Sequence, residues 1–137
     1  MLNHQEFPAK IEYLPTMLEA IRQEISPLVT DTKQLKRLEL CSEEILANII
    51  QYAYPDTDGS LFISIKYLEK NHQLCFIFID NGIPYNPLNE QNEPTKITTL
   101  ESQPIGGLGI FLYTTIMDKV DYQHLDGKNI LTVWKNL

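Results

Sequence analysis

Apolar residues recur at helical spacing in three segments of the chain, where positions three or four apart form one helical face. The segments cover residues 14–29, 39–54 and 106–118. Pro27 predicts that the first helix ends by Ser26, because proline has no backbone N–H to donate. The second helix is expected to be capped at Asp31 or Thr32 and to stop before Pro55.

Shorter apolar runs predict five strands. They cover residues 7–13, 61–68, 74–79, 120–125 and 129–134. The run LCFIFI at residues 74–79 is apolar without interruption, so it is expected at the centre of the sheet, in an antiparallel hairpin with residues 61–68. Asp126-Gly127-Lys128 is a turn signal between the last two strands. The order of elements predicts one α+β domain over residues 1–137, a two-layer α/β sandwich with a mixed, mainly antiparallel sheet.

Composition narrows the class of protein. Of the 137 residues, 43% are hydrophobic and 21% are charged, which is typical of a soluble globular chain. The formal net charge is −7 and no basic run occurs, so we expect no nucleic-acid partner. We expect no membrane association, because no apolar run is long enough to span a bilayer and the acidic balance disfavours a helix on the membrane surface. Cys41 and Cys75 lie in apolar runs, which favours reduced, buried thiols and a cytoplasmic location.

The second helix is apolar over more than half of its circumference, yet Glu44 and Asn48 lie four residues apart on it. This spacing places their side chains one above the other. One interpretation is a narrow solvated stripe that also contains Lys33, Arg37 and Gln51. The other is a carboxylate and an amide oxygen directed into a cleft, a pair suited to a hard cation and a proton transfer. The helix alone leaves both interpretations open.

Two further clusters contain residues with possible chemistry. Asp80 follows the most apolar strand and precedes Gly82, so the sheet would hold a carboxylate rigidly, although an ordinary Asp-Asn-Gly turn has the same residues. Gly106, Gly107 and Gly109 open the third helix. Glycines there let backbone N–H groups approach an anion, although a flexible hinge would also contain them. The sequence has no P-loop, dinucleotide fingerprint or serine-hydrolase elbow.

The order of these clusters is more informative than any one of them. E-x-x-x-N on a helix, D-x-G-x-P after a strand, a variable loop and GGLGI at a helix start resemble the GHKL (Bergerat) ATP-binding fold of gyrase, Hsp90 and histidine kinases. Five motifs narrow the resemblance to the anti-sigma factor serine/threonine kinase branch, over nearly the whole chain. The motifs are SEEILANIIQYAYP, DNGIPYNPL, PIGGLGIFL, MDKVDY and GKNILTVWK.

The resemblance implies a role for each matching residue. Glu44 matches the family's general base and Asn48 its magnesium ligand. Asp80 matches the carboxylate that bonds the adenine amino group, and Gly82 would give the base room. The remaining nucleotide-binding positions are the phosphate-side residues and one residue of the last strand. They are Gly106, Gly107, Leu108, Gly109 and Asn129.

The resemblance also implies a function. We expect a homodimeric cytoplasmic protein kinase that uses ATP and Mg²⁺ to phosphorylate a serine or threonine of a STAS-type anti-anti-sigma protein, and that regulates a partner such as a sigma factor. Residues 86–105 would form a lid over the nucleotide. An ATP-binding partner switch without significant kinase activity is the alternative, and the catalytic domain of a sensor histidine kinase is less favoured. Tyr52 stands where the family often has histidine.

Overall fold

The computed structural model describes residues 2–90 and 107–137, which form five strands and three α-helices in these two ranges. In chain order the elements are β1 (Leu2–Pro8), α1 (Leu14–Ile25), α2 (Thr32–Tyr52), β2 (Ser60–Leu68), β3 (Gln73–Asp80), α3 (Gly107–Ile116), β4 (Lys119–Leu125) and β5 (Lys128–Asn136). The predicted α+β sandwich is confirmed. The first helix ends before Pro27, as predicted. Asp31 caps the N-terminus of α2, because its side chain accepts a hydrogen bond from the Lys33 backbone N–H at 3.0 Å.

The sheet has the strand order β1-β2-β3-β5-β4, and β3 lies at its centre as predicted. All four strand pairs are antiparallel, so the prediction of a mixed sheet is wrong. The reason is the tight β4–β5 hairpin, in which Asp126 (φ 53°) and Gly127 (φ 76°) adopt left-handed backbone conformations. This turn reverses the chain so that β5 returns beside β3 in the antiparallel sense.

The first strand lies earlier in the chain than predicted. It covers Leu2–Pro8 instead of residues 7–13, and Ile11–Tyr13 form a short 3₁₀ turn that leads into α1. Within residues 2–90 and 107–137 the strand pairs only with β2, at the edge of the sheet, and its residues 3–6 are exposed. Strand residues with no buried face need no apolar alternation, so the polar segment NHQE contained no strand signal.

One apolar core joins the helices to the sheet. It contains Met17 and Ile21 of α1, Ile45 of α2, and Phe76 and Phe78 of β3, each with at most 1% of its surface exposed. On the apolar face of α2, Leu38, Cys41 and Ile45 are buried and Ile49 is partly buried, whereas Leu40 is 40% exposed. In the described residues the two cysteines are buried free thiols, as predicted. No helix in the described ranges is long and apolar enough to cross a membrane.

Candidate functional site

A pocket opens where the C-terminal half of α2 faces the ends of β3 and β5. Its described lining residues are Ile45, Asn48, Ile49, Tyr52, Ala53, Phe78, Asp80, Tyr85, Pro87, Tyr113, Tyr122, Asn129 and Leu131. The fold therefore brings together three of the residues singled out in the sequence, because β3 and β5 are neighbouring strands and α2 packs over them. These three are Asn48, Asp80 and Asn129.

Asn48 is buried in this pocket, with 5% of its surface exposed. Neither its Oδ1 nor its Nδ2 has a hydrogen-bond partner in the described part of the chain. The solvated-stripe interpretation is therefore wrong for Asn48, although Lys33, Arg37 and Gln51 are exposed as it requires. A buried polar group without a partner costs about 1–3 kcal/mol. An amide left in this state is suited to bind a ligand that supplies the missing bonds.

Glu44 lies one turn before Asn48 on α2, and its side chain is half-buried beside the pocket instead of among the lining residues. Loss of hydration raises the pKa of its carboxyl, and the neighbouring Glu43 carboxylate raises it further. A carboxylate with a raised pKa is a stronger proton acceptor than an exposed glutamate. The two α2 residues thus differ, since Asn48 reaches into the pocket and Glu44 stands at its border.

Asp80 ends β3 and is 4% exposed. Its Oδ1 accepts two hydrogen bonds, from the Gly82 backbone N–H at 2.9 Å and from Asn129 Nδ2 at 2.8 Å. Burial raises the pKa of the Asp80 carboxyl, although both hydrogen bonds and the charge of His124 act in the opposite direction. The rigid carboxylate expected at this strand end is therefore present, and its second oxygen accepts no hydrogen bond from the described residues.

Asn129 lies directly opposite Asp80 on β5 and is 6% exposed. Its Nδ2 donates to Asp80 Oδ1 and to the Ile83 carbonyl, both at 2.8 Å. Its Oδ1 accepts from the Tyr122 hydroxyl and from the Tyr85 backbone N–H, the latter at 3.3 Å. Asn129 lines the pocket, but its hydrogen-bonding groups are used by the protein itself.

Gly82 brings the loop after β3 against the end of α2. A Cβ at this position would lie 2.2 Å from the carbonyl oxygen of Ala53, and the Ile83 N–H donates to that same oxygen at 2.9 Å. Tyr54 holds the preceding residue, because its hydroxyl accepts from the Asn81 N–H at 2.8 Å and donates to the Ser60 carbonyl at 2.6 Å. In this structure the space at Gly82 is used by the backbone of α2.

Tyrosines form much of the pocket wall, and this was missed in the sequence. The rings of Tyr52 and Tyr85 stack with centroids 5.3 Å apart and planes inclined by 18°. Tyr113 is fully buried, and burial raises the pKa of its hydroxyl. With these rings in place the cavity measures about 30 Å³, about the space of one or two water molecules.

The phosphate-side residues are only partly described. Gly107, Leu108 and Gly109 form the first turn of α3, so the described helix begins at the second of the glycines predicted to open it. Gly106 lies outside the described residues, and so does most of the predicted lid at residues 86–105, except for the 3₁₀ turn Pro87–Glu90. The described ranges contain no cluster of three or more His, Cys, Asp or Glu that could hold a metal ion by itself.

Comparison with known proteins places these features in a family. Residues 7–135 match the family described as histidine kinase-like ATPase domain. Similar curated proteins include the serine-protein kinases RsbW of Bacillus thuringiensis (strain Al Hakam) and Bacillus mycoides (strain KBAB4). Each is 26% identical over 129 residues, which span 92% of this chain and 79% of the relative.

Solved structures with a similar fold include histidine kinases. The histidine kinase domain of the Erythrobacter litoralis EL346 blue-light activated kinase superposes with a TM-score of 0.55 at 15% identity, over 92% of this chain and 60% of that chain. In the longer EL346 kinase structure the match covers 78% of this chain and 31% of the kinase chain. Acinetobacter baumannii AdeS gives a TM-score of 0.52 at 13% identity, over 99% and 68% of the two chains. These likenesses establish the fold.

Proposed function

The chain belongs to the histidine kinase-like ATPase domain family, and from this premise we propose that it is an ATP-dependent protein serine/threonine kinase. Its substrate in this proposal is a serine or threonine of a STAS-type anti-anti-sigma protein, and it regulates a partner such as a sigma factor. The relatives named serine-protein kinase RsbW support this reaction class. A homodimer is part of the proposal through the family resemblance.

The observation that carries the proposal is the buried, unpartnered amide of Asn48 in the same pocket as Asp80. Folding leaves both polar atoms of Asn48 without partners in the described chain, and a bound ligand would supply them. One amide oxygen suits Mg²⁺, which prefers oxygen ligands and keeps several waters and substrate phosphates in its shell.

Asp80 is suited to recognise the base. Its Oδ1 is fixed by two hydrogen bonds, and its Oδ2 remains available as a charged acceptor at the pocket wall. An exocyclic amino group, as in adenine, is the matching donor. The first turn of α3, with Gly107, Leu108 and Gly109 and with Gly106 before it, would donate backbone N–H groups to the phosphates.

Glu44 is suited to handle the proton. In this proposal it accepts the hydroxyl proton of the protein substrate while that oxygen bonds the γ-phosphorus and the bond to the departing ADP breaks. Its raised pKa favours this role, because a base works best when its pKa approaches the working pH. Mg²⁺, held through Asn48 and the phosphates, would supply charge neutralisation to the transfer.

The test is a calorimetric titration with ATP, with and without Mg²⁺, followed by transfer of labelled phosphate to purified STAS-type proteins from the same genome. We expect Mg²⁺-dependent ATP binding and label on a serine or threonine of one such protein. Binding without transfer to any of them would favour the partner-switch alternative. No binding of ATP at millimolar concentration would reject the assignment of the pocket.

A further inference from the structure

The orientation of the Asn129 amide is fixed by two backbone groups. The Tyr85 N–H can only donate, and it points to Oδ1, while the Ile83 carbonyl can only accept, and it faces Nδ2. A flipped amide would place two donors together and two acceptors together. The assignment of oxygen and nitrogen therefore does not depend on any titratable neighbour.

This fixed amide determines how Asp80 can bond. Because Nδ2 of Asn129 must donate, Asp80 Oδ1 must accept, and it accepts from the Gly82 N–H as well. Because Oδ1 of Asn129 accepts, the Tyr122 hydroxyl must be the donor in their contact. One Asp80 oxygen is thus committed to the protein, and the other, Oδ2, keeps its full capacity as an acceptor.

We propose that Asn129 is a positioning residue, oriented by the backbone of Ile83 and Tyr85 and supported by the Tyr122 hydroxyl, that makes Asp80 present a single acceptor oxygen and so selects a base with an amino group over one with a carbonyl group. This inference rests on the proposed nucleotide-binding function. It assigns to Asn129 an action through Asp80, in place of the direct nucleotide contact that the family resemblance implies. All four hydrogen bonds of Asn129 are already made within the protein, so none remains for a ligand.

The same amide ties the loop after β3 to the sheet. Ile83 and Tyr85 are both bonded to Asn129 through their backbones, and Asp80 is bonded through its side chain. Loss of the amide would therefore leave the Gly82 N–H as the one described donor to Asp80 Oδ1, so the carboxylate would be held less firmly, and the loop that carries the Tyr85 ring would loosen. Both changes would weaken the proposed hydrogen bond from the amino group of the base to Asp80 Oδ2, because the strength of that bond depends on the orientation of the carboxylate.

The experiment compares ATP with inosine triphosphate, in which a carbonyl group replaces the amino group of adenine. Calorimetry with Mg²⁺ would measure both ligands on the parent, Asn129→Ala, Tyr122→Phe, Asp80→Ala and the double variant Asp80→Ala/Asn129→Ala. Tyr67→Phe is the matched control, since it removes a tyrosine hydroxyl bonded to His72, outside the pocket lining. Thermal unfolding of each variant reports whether it folds.

We expect Asn129→Ala to lower ATP affinity about tenfold, equivalent to about 1.4 kcal/mol, and to leave affinity for inosine triphosphate within about twofold. Tyr122→Phe should shift the ratio of the two affinities in the same direction by about threefold, and Tyr67→Phe should not shift it. In the Asp80→Ala background, Asn129→Ala should cost less than about twofold, because its effect passes through Asp80.

Two results would overturn the inference. The first is additivity in the double-mutant cycle, meaning that Asn129→Ala lowers ATP affinity by the same factor in the parent and in Asp80→Ala. A direct contact between Asn129 and the ligand, or a general loss of structure, would give this result. The second is an equal loss of both nucleotides in Tyr122→Phe, a variant that should fold even if Asn129→Ala does not. Failure of the parent to bind ATP would instead reject the proposed function together with this inference.

Discussion

The two sides of the pocket contrast in how completely their polar groups are satisfied. On the strand side, Asn129 makes four hydrogen bonds and Asp80 accepts two on one oxygen. On the helix side, Asn48 is equally buried and makes none with the described residues. Two buried asparagines in one pocket thus differ in hydrogen bonding: the side chain of Asn129 is fully bonded, and that of Asn48 has no partner among the described residues. The strand side is organised without a ligand, and in the proposed function a bound nucleotide with Mg²⁺ supplies the bonds that the helix side lacks.

The contrast shows how one fold can combine recognition with adaptability. A preorganised acceptor loses little entropy on binding, which favours selectivity for the base. An unsatisfied buried amide lowers the folding stability of the ligand-free protein. A ligand that supplies its hydrogen bonds would raise that stability, so binding and stability are coupled at this position. In the proposed function, Glu44, at the border of the helix side with a carboxyl pKa raised by burial, acts on the ligand.

The largest effect is expected on the helix side, from Glu44→Gln. The change keeps the shape and removes the base, so phosphate transfer should fall by about 10²–10⁴ while ATP affinity stays nearly constant. Single-turnover transfer and calorimetry would measure the two separately. Glu12→Gln, at an exposed position outside the pocket lining, is the matched control and should transfer at nearly the parental rate. Parental transfer by Glu44→Gln would remove that residue from the mechanism.

On the strand side, Asp80→Asn should separate affinity from stability. Replacing the charged acceptor should weaken ATP by about 1.5–3 kcal/mol, measured by calorimetry. The free energy of unfolding at neutral pH should rise, because burial raises the carboxyl pKa above 3.8 and the charged form is the costly one. Unchanged ATP affinity would show that Oδ2 does not contact the ligand.

The stability gain from Asp80→Asn should depend on pH with a definite sign. Between pH 3.8 and the raised pKa, the folded state binds more protons than the unfolded state, so Asp80 makes the parent less stable as pH rises through this window. The advantage of the variant should be absent below the window and complete above it. Urea unfolding across this range measures it, and an advantage that grows as pH falls would contradict the assigned cause.

A smaller effect, on stability, is expected where the two sides meet, at Gly82. Gly82→Ala would place a Cβ against the Ala53 carbonyl and should cost about 1–3 kcal/mol, since backbone must move to admit it. Gly127→Asn is the control: no atom lies within 4 Å of a Cβ there, and asparagine tolerates its positive φ. Urea denaturation would compare them. Equal stability of Gly82→Ala and the parent would mean that the loop does not abut α2 in solution.

Much of the fold follows from local patterns in the sequence. The caps of α2, the uninterrupted apolar run of β3 and the Asp-Gly turn before β5 each place an element within a few residues. The edge strand β1 could not be placed, because it is paired on one side and its middle residues are exposed. The fully antiparallel sheet depends on the direction in which β5 runs beside β3, and the spacing of apolar residues does not specify that direction.

The sequence predicted which residues could lie in the site, but it did not predict the hydrogen bonds that those residues make. The spacing on α2 and the strand end at Asp80 located two pocket residues correctly. The bonds of Asn129 with Asp80 and Tyr122 depend on the register of three strands, and a shift of one residue would turn the side chains to the other face. The choice between a solvated and a buried Asn48 likewise depended on what packs over α2.

The contrast between the two asparagines is tested most directly by leucine at each position. Asn48→Leu keeps the approximate shape and removes two unsatisfied groups, so we expect the ligand-free protein to gain about 1 kcal/mol in unfolding free energy. The rise in Tm on adding Mg²⁺ and ATP should disappear. Asn129→Leu removes four hydrogen bonds and should destabilise by more than about 2 kcal/mol. Destabilisation by Asn48→Leu, with an unchanged Tm rise on adding Mg²⁺ and ATP, would contradict this account.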